Sequence, residues 1–506
     1  MSARFEFNNL FVFEMANNHQ GRVEHGKRII HEMARVAQAH QIRAAIKFQF
    51  RDLDSFIHPA HRTTREHPHI PRFLSTRLSK AQFAELAEEV RRAGFVTMAT
   101  PFDEPSVAMV RELGIEVIKI GSCSTTDWPL LEQVAESNKP VIVSTGGLTW
   151  KQIDDLVSFF DHRGVHYAIL HCVALYPTPS NQLQLNRIDS LRRRYPDKVI
   201  GFSTHEHPDE LSAVQVAVAK GARILERHVG VPAEGIRLNP YSSSPEQVDR
   251  WVNAAKGALV LCGSGDGASV RPEELEALAA LTRGVYARQP LKAQTGISRE
   301  DVYFAMPLVS GQLTSGEWKD GVIAKEDVAK DAPLAVTGLS IPHDRDRQIL
   351  YHAIHTIKGM LNEARIALNT EFRVEFSHHY GVKEFPRIGA TIIECINRDY
   401  CKKLVIQLPG QRHPLHYHKK KEETFQLLYG RMEIVVEGRR RALCPGDIQL
   451  VQQGVWHEFW TETGMIAEEI STTHYDDDSV YEDQAINHQE RAARKTLVSN
   501  WGRYQL

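Results

Sequence analysis

The sequence predicts an α/β protein: a parallel (β/α)8 barrel of the TIM type, then a small β-rich module and a C-terminal β-barrel domain. Three observations predict this order. The first 270 residues alternate eight short apolar runs with amphipathic helical segments. The periodicity fades between Arg283 and Leu339, where turn residues become frequent. From Phe372 onward, segments typical of β-strands dominate.

The eight apolar runs are nearly continuous, which is typical of parallel strands covered on both faces. An open doubly wound sheet is the alternative, but eight units with polar residues at the strand ends favour a closed barrel. The predicted strands are Phe11–Glu14, Ala44–Gln49, Val96–Thr100, Val117–Ile120, Val141–Ser144, Tyr167–His171, Val199–Ser203 and Ile224–Arg227. The helical segments between them include Gly26–His40, Ser79–Ala93, Trp150–His162 and Pro208–Lys220.

The rest of the chain predicts two further helices and a set of strands. Pro272–Leu281 is a helix that leads into the β-rich module, and Arg345–Asn369 is a helix before the C-terminal strands. The clearest of those strands are CKKLVIQL, ETFQLLY, MEIVVEG and MIAEEIST. The expected domains are therefore 1–275, 282–340 and 345–506.

The composition is that of a globular protein, with 42% apolar residues, 25% charged residues and a net charge of −2. The balanced charge argues against nucleic acid or an anionic membrane as the main partner. The six cysteines lack C-x-x-C spacing, and no apolar run approaches the roughly 18 residues of a membrane span. We therefore expect a reduced, cytoplasmic protein.

Polar side chains stand at the carboxyl ends of the predicted strands, where the chemistry of such barrels takes place. Lysines, hydroxyl groups and a glycine turn that converge there form a cationic pocket suited to a phosphorylated anion. His205 and His228, from adjacent strands, are candidates for holding a divalent metal beside that anion. The polar set is Glu14, Lys47, Thr100, Lys119, Ser122, Ser144, His171, Tyr176, Ser203, His205, Glu226, Arg227 and His228.

Members of this set also have structural interpretations. A strand-end lysine is commonly ion-paired, and His171 beside Cys172 is typical of a core histidine. For Glu226 and Arg227 the structural interpretation is an ion pair with each other near the barrel rim. The functional interpretation depends on co-location, because a polar residue at every strand end is hard to explain structurally.

Motifs along the predicted barrel resemble those of the sialic acid synthase family. They are FEMANNHQG, AAIKFQF, ATPF, IKIGS, VIVSTGG, YAILHCVALYPTP, IGFSTHE and ILERHVG, in this order. The segment Arg283–Leu339 resembles the antifreeze-like (SAF) domain that follows the barrel in that family. The resemblance implies condensation of phosphoenolpyruvate with an aldose to give a 3-deoxy-2-keto acid and phosphate.

The resemblance also implies a role for each matching residue. His205 and His228 match manganese ligands, Glu14 matches the carboxylate near the attacking water and the sugar, and Tyr176 matches a residue that lines the sugar site. The SAF resemblance implies a domain-swapped homodimer in which this module completes the partner's active site. The positions that match contacts to the phosphate and carboxylate of phosphoenolpyruvate are Lys47, Thr100, Lys119, Ser122, Ser144 and Ser203.

Four positions depart from the family pattern, and they cluster on the sugar side. Ser124 stands where an acidic residue is usual, Ala174 replaces an asparagine, and Thr204 replaces an aspartate. Met306 replaces an arginine in the SAF segment. We therefore expect the same reaction with an aldose other than N-acetylmannosamine. The alternatives are a sugar-sensing or scaffold protein with an inactive barrel, and a synthase of an eight-carbon keto acid.

His416 and His418 begin a second candidate site. They lie two residues apart, so on a strand both imidazoles face the same side. Glu423 and His457 would complete three nitrogens and one carboxylate oxygen, a ligand set for a divalent metal such as Mn²⁺, Fe²⁺, Zn²⁺ or Ni²⁺. The spacing resembles the cupin double motif, with Gly410, His416, His418, Glu423 and Gly430 in its first half and Pro445-Gly446-Asp447 and Gly454-Val455-Trp456-His457 in its second.

The wider segment around these residues resembles D-lyxose isomerase-type cupins. It reads SHHYG, then NRDYCKKLVIQLPGQRHPLHYHKKKEETFQLLYG, then EEISTTHY. The resemblance implies a metal-dependent isomerase or epimerase, which could prepare the aldose for the barrel. The alternative is a metal-bearing cupin that only dimerises or senses sugar. Lys419–Lys421 are interpreted as a solvated charge run rather than an anion site.

Overall fold

The first half of the chain folds into a closed barrel of eight parallel strands that follow one another in chain order. The computed structural model describes residues 4–263, 270–342, 345–368, 372–498 and 501. The predicted (β/α)8 fold is confirmed, and each strand bound lies within one residue of the prediction. The strands are β1 Leu10–Glu14, β2 Arg43–Phe50, β3 Val96–Pro101, β4 Val117–Ile120, β5 Val141–Ser144, β6 Tyr167–Cys172, β7 Ile200–Thr204 and β8 Ile224–His228.

Alternate residues of these strands fill the barrel interior, because successive side chains on a strand face opposite sides. One buried cluster comprises Leu10, Val12, Ala45, Met98, Val117, Ile142, Ala168, Leu170 and Ile224, with Phe7 beside them. The residues between them belong to the larger core that packs under the helices. The same alternation places five polar side chains in the barrel interior, at the carboxyl ends of their strands: Glu14, Lys47, Lys119, Ser144 and Glu226.

Local sequence signals explain where several barrel helices begin. Ser79, Thr149 and Ser244 each precede a helix, and each side chain accepts a hydrogen bond from the amide three residues on, where a glutamine closes a capping box. The helices are α1 Val23–His40, α2 Leu53–Phe56, α3 Ile70–Ser75, α4 Lys80–Arg92, α5 Glu104–Glu112, α6 Trp128–Glu136, α7 Trp150–His162, α8 Asn186–Arg194, α9 Ser212–Ala219 and α10 Pro245–Cys262.

One of these helices is shorter than predicted. The segment Pro208–Lys220 was expected to be helical from its first residue, but α9 begins at Ser212. The reason is a turn before it, in which the amide of Glu210 donates to the carbonyl of His207. The carboxylate of Glu210 then accepts from the amide of Ser212, which starts the helix.

A small β-rich segment follows the barrel, as the fading periodicity predicts. The buried core of this segment includes Val285, Ile297, Val302, Val322 and Leu334. The elements are α11 Pro272–Ala279, β9 Gly284–Ala287, β10 Gly296–Ile297, β11 Val302–Ala305, β12 Val322–Ala324 and β13 Leu339–Ser340. They form a three-stranded sheet in the order β10-β12-β13 and a two-stranded antiparallel sheet of β11 and β9.

The C-terminal region is β-rich, as predicted, and its two sheets contain seven and five strands. The strands are β14 Arg373–Ser377, β15 Ala390–Asn397, β16 Tyr400–Gln407, β17 Arg412–His418, β18 Glu423–Gly430, β19 Met432–Val436, β20 Arg439–Leu443, β21 Ile448–Val451, β22 His457–Trp460, β23 Met465–Thr472, β24 Ser479–Tyr481 and β25 Lys495–Val498. The helices are α12 Arg345–Glu363, α13 Gln484–Asn487 and α14 Arg491–Arg494. The larger sheet has the order β21-β18-β23-β16-β15-β14-β25, and the smaller one β20-β19-β22-β17-β24.

The chain divides into two units, Met1–Ser269 and Val270–Leu506. The predicted domain ends at 1–3 and 502–506, and the predicted helix end at Asn369, lie outside the described residues. All six cysteines are described and carry free thiols. Within the described ranges, no helix has the length and apolar character needed to span a bilayer.

Candidate active site and metal centre

Glu14 and Lys47 meet at the carboxyl end of the barrel. They lie opposite each other in the register of β1 and β2, and His228 of β8 flanks Glu14 on its other side. Lys47 Nζ lies 2.6 Å from Glu14 Oε2 and 2.9 Å from Glu226 Oε1. Glu14, Lys47 and Glu226 are buried. The strand register therefore holds one lysine between two carboxylates.

Lys119 shares Glu226 with Lys47. Its Nζ atom lies 3.8 Å from Glu226 Oε1 and donates a hydrogen bond to Ser144 Oγ at 2.6 Å. Ser203 Oγ donates to the same oxygen of Glu226 at 2.8 Å. Together with Glu14, six side chains from six different strands thus form one buried polar group.

Two further hydroxyl residues stand at neighbouring strand ends. Ser122 Oγ accepts a hydrogen bond at 2.9 Å from the amide of Gly146, in the glycine turn after β5. Thr100 is buried on β3, opposite Gln49 of β2. The predicted hydroxyl residues therefore end their strands on the barrel's carboxyl side, as expected.

The ion group at the mouth is electrically balanced, with two lysines against Glu14 and Glu226. Burial raises the pKa of Glu226, but Lys119 and Lys47 together lower it to about 2. Burial lowers the pKa of Lys119, an effect that Glu226 only partly offsets. The two lysines that were expected to bind a phosphorylated anion therefore each have a carboxylate beside them.

His205 and His228 lie next to each other, with ring centroids 5.3 Å apart. Burial, followed by the neighbouring imidazole, lowers the pKa of His205 to about 3, and burial with Lys47 lowers that of His228 to about 3. Both rings are therefore neutral near pH 7, as metal ligands must be. His205 Nδ1 lies 3.2 Å from the carbonyl of Val173, whereas His228 Nδ1 is buried without a partner among the described residues.

Two tyrosines enclose the histidine pair. The ring of Tyr176 lies 4.3 Å from that of His205, and the ring of Tyr241 lies 5.1 Å from that of His228. Tyr176 is 55% exposed, so it stands on the open side of the mouth. The sequence identified Tyr176, whereas Tyr241 lies in the loop after β8 and no periodic signal marks it.

The alternative structural interpretation, an ion pair between Glu226 and Arg227, is wrong. Glu226 faces the barrel interior, whereas Arg227 points outward and donates to Ser243 Oγ at 2.7 Å, with Glu206 3.5 Å away. Residues next to each other on a strand point to opposite faces, so they cannot pair in this way. The signal that could have found Glu226 is its parity with His228, two residues along the same strand. His171 behaves as the expected core histidine, with Nε2 2.8 Å from the carbonyl of Leu183.

The four predicted cupin ligands come together. One candidate ligand atom from each of His416, His418, Glu423 and His457 lies within 4.8 Å of the others, and all four residues are buried. No other group of three or more such residues occurs in the parts of the chain that the structure describes. His416 is paired in register with His457 across β17 and β22. Glu423 opens β18, so three strands supply the set.

The ring orientation of the three histidines favours a bound metal. Nδ1 of His416 lies 2.9 Å from the carbonyl of Pro414, and Nδ1 of His457 lies 3.0 Å from that of Val455. Nδ1 of His418 lies 3.3 Å from the Ser479 hydroxyl. The two carbonyls can only accept, so they place the proton of His416 and of His457 on Nδ1 and leave Nε2 free for a metal. The Ser479 hydroxyl can donate or accept, so it orients the ring of His418 without fixing its tautomer.

Two polar atoms of this set are otherwise unexplained. His457 Nε2 and Glu423 Oε1 are 2.8 Å apart, yet neither has a hydrogen bond among the described residues. Buried polar atoms in this condition need an explanation, and an ion shared between them supplies one. The residues present therefore fit a divalent metal.

Lys421 corrects the interpretation of Lys419–Lys421 as a solvated run. Lys421 is only 3% exposed, and its Nζ atom lies 2.5 Å from Glu423 Oε2 and 2.8 Å from Glu469 Oε1. Lys419 and Lys420 are exposed, so the interpretation holds for them. The interpretation is wrong for Lys421 because the buried carboxylates of Glu423 and Glu469 need a cation beside them.

Comparison with known proteins identifies both parts of the chain. Residues 33–266 match the profile of the NeuB family, and residues 403–471 match that of the cupin domain. An uncharacterized protein of Methanocaldococcus jannaschii is 30% identical over 334 residues, which cover 63% of this chain and 94% of that protein. N-acetylneuraminate-9-phosphate synthase of Drosophila melanogaster is 34% identical over 230 residues, which cover 43% of this chain and 59% of that enzyme. The match to the fly enzyme thus spans less than two thirds of its length.

A solved structure is also similar. The crystal structure of a protein described as spore coat polysaccharide biosynthesis protein E, from Chromobacterium violaceum, shares 45% identity with this chain. The match covers 66% of this chain and 99% of that one, with a TM-score of 0.63.

Proposed function

Because the chain belongs to the NeuB family, we propose that its barrel condenses phosphoenolpyruvate with an aldose. The products are a 3-deoxy-2-keto sugar acid and inorganic phosphate. One observation carries the proposal: the ion group of Lys47 and Lys119 adjoins the imidazole pair of His205 and His228 at one barrel mouth. The lysine ammonium groups that can bind a phosphorylated anion therefore lie beside the imidazoles that can bind a metal.

The aldose is proposed to differ from N-acetylmannosamine. Ser124, Ala174, Thr204 and Met306 replace polar or charged residues that are usual on the sugar side of related enzymes. Met306 is 57% exposed and offers no charge. A site that loses these polar groups discriminates against a ligand that needs them.

Phosphoenolpyruvate would bind by replacing part of the internal ion pairing. Lys47 and Lys119 exchange their contacts with Glu14 and Glu226 for the phosphate and carboxylate oxygens of the substrate. Ser144, which already accepts from Lys119, supplies a hydroxyl to the same anion. Holding both reactants in one mouth converts a bimolecular step into an effectively unimolecular one.

The reaction then needs one C–C bond and one water. C3 of the enol bonds to C1 of the aldose, and the carbonyl oxygen of the aldose takes up a proton to become a hydroxyl. Water adds at C2 and gives one proton to Glu14, which can accept it because burial raises the pKa of this carboxyl and can pass it to the aldose oxygen. The bond from C2 to the phosphate oxygen then breaks, the C2 hydroxyl gives its proton to the phosphate and becomes the keto group, and Lys119 stabilises the departing phosphate.

His205 and His228 are the residues that would hold a divalent metal, Mn²⁺ by resemblance to the family. Bound there, the metal would supply Lewis-acid polarisation of the aldose carbonyl. Both rings are neutral and adjacent, and Nδ1 of His228 is an unpartnered buried atom among the described residues. The donor set therefore fits such an ion.

Phosphate release from phosphoenolpyruvate with a panel of aldoses and Mn²⁺ tests this proposal, with product masses measured in parallel. Lys119→Met should lower kcat/KM by about 10²–10³-fold, because it removes a cation at the leaving group. Lys151→Met is the matched control, since Lys151 is an exposed residue of α7 paired with Asp155. Full activity of Lys119→Met would contradict the site, and N-acetylmannosamine as the best acceptor would contradict the substrate.

The cupin is proposed to bind a divalent metal and to isomerise, epimerise or bind the sugar that the barrel uses. The set of His416, His418, Glu423 and His457 supports this role, because three imidazoles and a carboxylate leave a coordination position open. Supplying the corresponding ketose with phosphoenolpyruvate should give product only when both sites are intact. Unchanged product formation in the His416→Ala/His418→Ala variant would remove this second proposal without affecting the first.

The oligomer is proposed to be a domain-swapped homodimer, by resemblance to enzymes with a SAF module. Light scattering at several protein concentrations tests this directly, and the mass of a single chain throughout would contradict it.

A further inference from the structure

Lys403 is a buried lysine without an ion pair. It lies on β16 and is 3% exposed. In the described part of the chain its ammonium has neither a hydrogen bond nor a carboxylate within ion-pair distance. Its neighbour Lys402 points to the other face of the strand and pairs with Glu468 at 2.6 Å. Its side chain lines a cavity, so its ammonium is available to a negatively charged ligand.

The nearest buried acid in the sheet is already engaged. Glu469 of β23 lies opposite Lys403 in register. Its carboxylate is held instead by Lys421 at 2.8 Å, and Lys421 also contacts the metal-site carboxylate of Glu423 at 2.5 Å. One row of side chains therefore connects Lys403 with the metal centre, and Lys421 binds both of its acids, Glu469 and Glu423. Glu394 of β15 lies opposite Lys403 on the other side, but beyond ion-pair distance.

Lys403 faces the cavity above the metal centre. It lines the inner cavity together with His416, His418 and Glu423, and it also lines the outer cavity that joins it. His474 lines both cavities as well, and its Nδ1 atom is buried without a partner among the described residues. Two unpartnered polar groups thus stand where the two cavities meet.

Lysines outnumber carboxylates in the lining of the inner cavity. Lys403, Lys421 and Lys495 line it together with Glu423 and Glu469, and Glu375, which pairs with Lys495 at 2.6 Å, lies outside this lining. The buried carboxylate of Asp478 lies 3.7 Å from His418 Nδ1. Even with Glu375 and Asp478 counted, the three lysines and a divalent ion would carry one positive charge more than the four carboxylates.

We propose that the cupin takes an anionic sugar, whose carboxylate or phosphate group binds Lys403 while its hydroxyl oxygens face the metal centre. The anionic group would give Lys403 its missing partner and offset the charge of the ion. This inference rests on the metal site proposed above and specifies its ligand. It is independent of phosphate release by the barrel, so the two can fail separately.

Isothermal titration calorimetry on the full chain, with metal content measured first, tests the inference. The probes are D-glucuronate, D-glucose 6-phosphate and the neutral D-glucose. We expect one of the charged probes to bind at least tenfold more tightly than D-glucose, and the better of the two identifies carboxylate or phosphate. Equal affinity for all three, or no binding of either charged probe to metal-loaded protein, would overturn the proposal.

Two variants assign the effect to Lys403. Lys403→Met should lose the preference for the charged sugar, and Lys403→Arg should keep most of it. Lys402→Met is the matched control, since it removes a lysine from the adjacent position but from the opposite face. Retained preference in Lys403→Met would overturn the assignment, and the wild-type comparison of charged and neutral sugars still decides the proposal if that variant does not fold.

Discussion

Lys47 Nζ lies 2.6 Å from Glu14 Oε2, and the two residues are directly opposite each other on β1 and β2. The same ammonium lies 2.9 Å from Glu226, so it is bound by two carboxylates before any substrate enters. An anionic substrate must displace at least one of these contacts. The internal ion pairs neutralise the charge of the buried lysines in the free protein. Substrate binding therefore exchanges a carboxylate of the protein for an anionic group of the substrate.

Glu226→Gln tests this exchange. The substitution leaves Lys119 without its nearby carboxylate in a buried position, so the free energy of unfolding should fall by about 3 kcal/mol. Phosphoenolpyruvate should then raise the melting temperature of the variant more than that of the wild type, because the substrate anion takes the place of the lost charge. Thermal unfolding with and without phosphoenolpyruvate measures both effects.

Glu112→Gln is the control for this variant. Glu112 pairs with Lys80 on the surface, so its loss should change stability by no more than about 0.5 kcal/mol and should leave the response to phosphoenolpyruvate unchanged. If both variants lost the same free energy of unfolding, removing the buried carboxylate of Glu226 would cost no more than removing an exposed one.

The barrel could be predicted closely because its signals are local. Continuous apolar runs bounded by polar strand ends fixed β4 and β5 to the residue. The role of Glu226 could not be assigned from neighbours in sequence alone, since its partners Lys47 and Lys119 come from strands more than 100 residues earlier. Glu226 and His228 lie two residues apart on one strand, so the sequence places both side chains on the same face. Only closure of the barrel brings Glu226 into contact with Lys47 and Lys119.

The cupin site, too, could be predicted from the sequence only in part. The ligand set was predictable because His416 and His418 share one strand face and the spacing to Glu423 and His457 is restrictive. Lys421 looked solvated because it follows two exposed lysines. Its burial depends on Glu469, which reaches it through the pairing of β18 with β23, a contact between distant strands that periodicity does not encode.

His457→Ala should abolish stoichiometric metal binding by the cupin. It removes one of three imidazoles and leaves Glu423 Oε1 without a neighbour 2.8 Å away. Elemental analysis of the purified protein measures the loss, which should also lower the melting temperature because bound metal stabilises the fold. His488→Ala, an exposed histidine of the same region, should retain wild-type metal content. Equal metal in both variants would contradict the assignment.

Glu375→Gln should destabilise the protein in a pH-dependent way. Burial alone would raise the pKa of Glu375, but Lys495 and Arg491 lower it to about 2. Because the folded pKa lies below the unfolded value near 4.5, the stabilisation is complete above that value and is lost as the pH falls toward 2. The wild type should exceed the variant by about 3 kcal/mol at pH 7 and by progressively less below pH about 4.5.

Urea unfolding at pH 7, 5 and 4 measures this difference for Glu375→Gln. Glu462→Gln provides the control, since Glu462 is exposed and should show a small difference that does not vary with pH. A constant difference for Glu375→Gln across this range would mean that its charge does not stabilise the fold.

Gly201→Ala should disrupt the barrel interior. A Cβ atom at this position of β7 would lie 2.5 Å from the carbonyl oxygen of Ile224 and closer still to Leu170 Cδ2. The backbone of β8 would have to move, which should cost about 2 kcal/mol of unfolding free energy. In contrast, Gly257→Ala in α10 meets no atom within 4 Å and should stabilise the protein by about 0.5–1 kcal/mol, because alanine favours a helix over glycine. Chemical denaturation of both variants measures the contrast, and equal stability of the two would mean that β7 and β8 are not packed this closely.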